Sequence, residues 1–123
     1  MELSQEAFEG LVERALDELP EWVQERMDNV AVLVAPWPTR YQLEAAKIRH
    51  GHMLLGLYEG VPLSQRGRGY NLLPPDRITL FQRPMQALAR TEDELIRLIQ
   101  RTVVHEIGHH FGFGEDDLGR LGI

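Results

Sequence analysis

Cysteine is missing from the sequence altogether. Disulfides are therefore excluded, and so is any metal site built on thiolates. A metal ion in this chain has to be held by imidazole and carboxylate. Long apolar runs are missing too. "VAVLVA" at Val30 to Ala35 is one of the longest, far short of the roughly 20 residues that cross a bilayer, so no membrane partner is expected. The N-terminus, "MELSQEAFEG", lacks the basic-then-apolar character of a signal peptide, which makes the expected compartment cytoplasmic. Positive charge is scarce: 13 Lys and Arg stand against 19 Asp and Glu, a net charge of −6. Phosphate backbones are bound by clustered Lys and Arg, so the balance disfavours a nucleic-acid partner.

What is present fits one globular domain over residues 1–123, with 43% hydrophobic and 26% charged residues. That length can bury a core without staples. Ser4 is placed to cap a first helix, along which Phe8, Leu11, Val12, Ala15, Leu16 and Leu19 recur at helical spacing until Pro20. A short second helix is expected over Glu21 to Met27. Val30 to Ala35 reads as a buried strand. Thr39 and Gln42 form a capping-box pattern that predicts a helix from Arg40 to His50, ending at Gly51. "MLLGLYEG" reads as a second strand, and the strand–helix–strand order implies a parallel pair of these two strands. "ITLFQRP" reads as a third, with Pro84 marking its end or an edge position.

Between the last two strands lies "GVPLSQRGRGYNLLPPDR", Gly60 to Arg77. Loops of this length in a small domain are usually functional or mobile, so Gly60 to Pro75 is expected to border a functional cleft. The expected class is α+β: a small twisted mixed sheet of about three strands packed on helices, with the longest helix near the C-terminus.

That helix begins at a second capping box, Thr91 with Glu94, and its pattern runs to about Phe111. On a helical wheel Leu95, Ile96, Ile99, Val103 and Ile107 share an arc of roughly 120°, the core face. His105 and His109 are four apart and therefore stack one turn apart, on an arc pointing largely away from that face. Two imidazoles can thus aim at one point. Glu106 sits about 100° round from His105, badly placed to share the ion directly but able to reach water beside it. This is the logic of H-E-x-x-H: two neutral imidazoles hold zinc and the carboxylate serves as general base. Gly112 follows where the helix must stop, and only Gly takes a left-handed turn without strain. The turn returns "GEDD", so Glu115, Asp116 or Asp117 can complete the three protein ligands common at catalytic zinc.

"HEIGHHFGFGE", His105 to Glu115, resembles the metzincin-type pattern H-E-x-x-H-x-x-G-x-x-H/D. Together with "GLYEGVPLSQR" (Gly56 to Arg66) and "LPPDRITLF" (Leu73 to Phe81), it makes the chain similar over nearly its whole length to the small bacterial minimal zincin-like metallopeptidase family. The resemblance implies a zincin-like fold, a Zn²⁺ cofactor, a peptide or protein substrate and endopeptidase activity. By position it implies His105 and His109 as zinc ligands, Glu106 as general base and Glu115 as third ligand. The family's third position is typically Asp, and here Asp116 stands one residue beyond Glu115.

Tyr58 and Tyr70 are candidates to donate to a developing oxyanion. His50 and His52 flank a helix end, which suits histidine without any metal. Arg66 and Arg68 suit a solvated loop, and Trp22 and Trp37 suit packing. His110 suits the core edge, bonded to backbone. A competing class of function is a metal-stabilised protein-interaction module without peptidase activity. A metal-dependent ribonuclease is disfavoured by Glu106 and by the acidic balance.

Overall fold

The computed structural model describes residues 2–48, 53–60 and 75–112. They form an α+β fold in which one three-stranded sheet packs on helices. Helix α1 (Gln5–Asp17) is capped by the Ser4 hydroxyl, which accepts from the Ala7 N–H, and buries Phe8, Leu11, Val12 and Ala15. Helix α2 (Glu21–Arg26) follows at Pro20 and buries Val23. Strand β1 (Val30–Ala35) leads to helix α3 (Arg40–Ala45), where Thr39 and Gln42 make the full reciprocal capping box. Strands β2 (Gly56–Glu59) and β3 (Asp76–Phe81) are followed by helix α4 (Gln82–Leu88) and helix α5 (Glu92–His110).

The strand order is β1-β3-β2, with β1 parallel and β2 antiparallel to β3. This corrects the expected parallel pair of the first two strands. The reason lies in β3, whose last four residues, Ile78, Thr79, Leu80 and Phe81, are all buried. A strand buried on both faces belongs in the middle of a sheet. β1 and β2, each only partly buried along their length, take the edges.

Three further departures have local causes. Helix α3 ends at Ala45, short of the expected His50. Lys47 adopts φ 56°, and the bonds from Lys47 N–H to Glu44 O and from Ile48 N–H to Leu43 O complete a Schellman-like termination. A lysine at the left-handed position gives no glycine signal to read. β3 ends at Phe81 and α4 starts at Gln82, where a longer strand was expected. Pro84 is tolerated because it falls in the first turn, where its missing N–H has no intrahelical partner to lose. Trp22 packs against the core, but Trp37, between two prolines just after β1, is 61% exposed.

The core is built by α1 and α5 against the inner face of the sheet. Phe8, Ala15, Val23, Ile78, Leu80, Met85, Leu95, Ile99, Val103, Val104 and Ile107 are all fully buried. Buried Gln82 donates to Leu3 O at 2.9 Å and to Gln86 Oε1 at 2.7 Å, fastening the N-terminal segment to α4. No helix among the described residues is long and apolar enough to cross a membrane.

Candidate metal centre

Helix α5 carries the site. Leu95, Ile96, Ile99, Val103, Val104 and Ile107 are buried, as the wheel requires. With that face fixed in the core, the opposite arc has to emerge at the surface. His105 is half-buried and His109 exposed. Their ring centres lie 6.1 Å apart with the planes nearly perpendicular, at 78°. Two imidazoles bonded to one tetrahedral ion at 2.0–2.1 Å place their ring centres roughly 5 Å apart. The observed pair is within about an ångström of that, a gap small side-chain rotations close. The donor chemistry also fits zinc, since both rings stand clear of the core on one side of one helix.

Glu106 points elsewhere. Its Oε1 accepts the backbone N–H of Tyr58 on β2 at 2.8 Å. The strand geometry explains why that N–H is available. Phe81 N–H bonds Leu55 O, so alternate residues of β2 face β3 while Tyr58, offset by one, turns its amide to the outer edge, where α5 passes. Gly56 allows the approach. A Cβ there would lie 2.7 Å from Thr102 Cγ2, so a side chain at Gly56 would force Thr102 or the strand to shift.

Burial pushes the Glu106 carboxyl above the usual carboxylate range. The Tyr58 N–H, and to a smaller degree the charges of His109 and His105, pull it back without cancelling the rise. A carboxylate raised in this way is a better proton acceptor near neutral pH.

The helix stops where the sequence said it would. Phe111 closes it, and Gly112 takes φ 83° with its N–H on His109 O. A Cβ on Gly112 would meet nothing within 4 Å, so the requirement for glycine is conformational, not spatial. The Arg26 guanidinium lies 5.7 Å from the Phe111 ring centre and packs the end of α5 against α2.

His110 departs from expectation. It does not sit at the core edge on backbone but stacks on the Tyr58 ring, with centres 3.9 Å apart and planes 17° apart. One position on from His109 it faces β2, where an aromatic is available. Tyr58 also differs from a free oxyanion donor, because its hydroxyl donates to Asp76 Oδ2 at 2.7 Å. Neither the Tyr58 amide nor Asp76 was identified from the sequence. Gly56 inside a strand was the one available hint, since such glycines mark close backbone approach.

Among the described residues no group of three metal-ligating side chains converges. His105 and His109 could supply two ligands. Glu115, Asp116 and Asp117 lie outside the described residues, as do Tyr70, His50, His52, Arg66, Arg68 and the Gly60 to Pro75 loop apart from its two ends.

A family model described as zincin-like metallopeptidase matches residues 27–123. The chain belongs to that family. Among solved structures it is similar to a conserved hypothetical protein from Thermus thermophilus, at 27% identity and TM-score 0.57, covering 95% of this chain and 99% of that one. That likeness supports the fold and adds nothing about activity. No curated protein matches the sequence.

Proposed function

We propose that this zincin-like protein is a zinc-dependent peptidase acting within peptide chains, with His105, His109 and Glu115 as ligands and Glu106 as general base. One observation carries the reading. A half-buried carboxylate with a raised pKa stands on the same helix turn as two imidazoles that can meet at one ion. A carboxylate able to accept a proton beside an open metal position is what hydrolysis uses, whereas structural sites fill all four positions with protein ligands.

Zinc held there would make water acidic enough to ionise near neutral pH and would polarise the substrate carbonyl. The chain's own residues do the rest. Glu106 takes the proton of the attacking water and returns it to the leaving nitrogen. The Tyr58 N–H holds one carboxylate oxygen while this happens. His105 and His109 stay neutral as ligands, and Gly112 turns the chain so that an acidic residue can approach from beyond the helix.

The test pairs metal analysis of the purified protein with hydrolysis of a mixed peptide library, with and without chelator. One bound zinc per chain and chelator-sensitive cleavage are expected. Firm zinc binding with no cleavage across the library would favour the interaction-module reading instead.

A further inference from the structure

The contact that orients Glu106 comes from another element. Strand β2 is four residues long and pairs through β3 on one side. A short edge strand holds an amide on target only if something holds the strand. In this chain the Tyr58 side chain is gripped from two directions. Its hydroxyl donates to Oδ2 of Asp76, the first residue of β3, at 2.7 Å. Its ring lies flat on His110 of α5 at 3.9 Å. His110 Nε2 in turn stands 3.9 Å from the same Asp76 oxygen. The Asp76 side chain is only 13% exposed, so the bond to Tyr58 is shielded from solvent competition. Hydroxyl–carboxylate bonds of this kind are among the stronger ones in proteins.

We propose that Asp76 and Tyr58 form a positioning pair for Glu106. The side-chain bond fixes β2 against β3, and the Tyr58 backbone N–H then holds the Glu106 carboxylate in one orientation. Neither residue touches the reacting atoms. The catalytic consequence rests on Glu106 being the base; the coupling itself does not. Gly56 fits the same picture, because it sets how closely the strand carrying Tyr58 lies on α5.

The experiment uses the full chain, zinc-loaded for turnover and chelator-treated for exchange. Tyr58→Phe keeps the ring stack and removes only the hydroxyl. Asp76→Ala removes the acceptor. Each is expected to lower kcat by about 10- to 100-fold, the usual scale for residues that orient a catalytic group, at unchanged KM and zinc affinity. Asp76→Asn keeps an oxygen that accepts the tyrosine proton and should recover most of the loss. The double variant Tyr58→Phe/Asp76→Ala should lose less than the two single losses combined, because the Tyr58–Asp76 bond is broken in both. Hydrogen exchange at the Tyr58 amide gives a readout independent of turnover: protection should fall in both single variants while Ile99 keeps its own.

Unchanged exchange at Tyr58 overturns the proposal, as does additive loss in the double variant. A loss of protection that extends to Ile99 marks general loosening and overturns it equally. If the wild-type protein cleaves no peptide, the peptidase reading fails on its own, and the Tyr58 amide still decides the coupling.

Discussion

The two ends of helix α5 are held by different means. At the N-terminus the polar contacts come from adjacent residues. Thr91 Oγ1 accepts the Glu94 N–H at 3.1 Å, Glu94 Oε2 accepts the Arg90 N–H at 2.7 Å, and three acidic residues fill the first turn. At the C-terminus the partners are distant in sequence. Glu106 accepts from Tyr58, 48 positions away, His110 stacks on the same tyrosine, and Phe111 lies under Arg26. The caps of the first end do not depend on how distant segments dock. The second is only as good as the docking of β2 and α2, and it is the second that carries the proposed site. Perturbed titratable groups held in place by supporting residues are a mark of functional sites.

The largest effects should therefore come from the C-terminal end. His105→Ala should lose both zinc and hydrolysis, read by metal analysis and peptide cleavage. Glu106→Gln should keep zinc, because the amide has nearly the same shape, and lose hydrolysis by about 10²–10⁴-fold, the range of general-base catalysis. Equal activity in Glu106→Gln would place the base elsewhere.

The same Glu106→Gln variant should melt higher than wild type when both are chelator-treated at neutral pH. The sign follows from the raised carboxyl pKa. Folding disfavours the ionised form, so the penalty is present in full above the folded pKa. It fades as pH falls and is gone below the unfolded value, where both states are protonated. Glutamine carries no such penalty. The difference in Tm between the two proteins should therefore shrink to nothing in acid. A wild-type protein that melts higher than the variant at pH 7 would mean the Tyr58 bond outweighs burial.

Next in size is the shared middle of the helix. Ile99 is fully buried in the core, and Ile99→Ala should cost about 2–5 kcal/mol of stability, measured by denaturant unfolding. Zinc affinity per folded molecule should be unchanged. A fall in affinity would show that core packing and site geometry are not separable along this helix.

How much of this the sequence disclosed follows the same division. The caps at Ser4, Thr39 and Thr91, the core stripe of α5 and the glycine stop at Gly112 are local, and each was readable from residues within a few turns. The placement of His105 and His109 one turn apart, away from the core face, was readable because helical spacing alone sets their faces. The strand pairing was not, since β1 and β3 are neighbours through residues far apart in the chain. The end of α3 was missed because lysine stands where glycine is the usual signal. Tyr58 acts on Glu106 through its backbone, and a backbone amide has no residue type to recognise.

Gly112→Ala tests the boundary between the two regimes. Space is available, so the cost is that of forcing a Cβ into the left-handed region, about 1–2 kcal/mol. The chain beyond the turn would be redirected, so zinc affinity should fall along with stability. Stability loss with full zinc affinity would mean the third ligand does not depend on that turn.

Thr91→Ala should have the smallest effect and the most local one. Removing the hydroxyl leaves the Glu94 N–H without its cap, which costs about 1 kcal/mol in typical helices. The first site residue, His105, lies about 20 Å further along the axis at 1.5 Å per residue. The intervening turns are locked into the core by Ile96, Ile99 and Val103. Fraying of the first turn should stop at Leu95, which is fully buried. Stability should therefore fall while kcat, KM and zinc affinity all hold, measured on the same preparation. A Thr91→Ala protein with weakened zinc binding would show strain passing the whole length of α5. The two ends of the helix would then be one cooperative unit, and the division between a locally held end and a distantly held end would not stand.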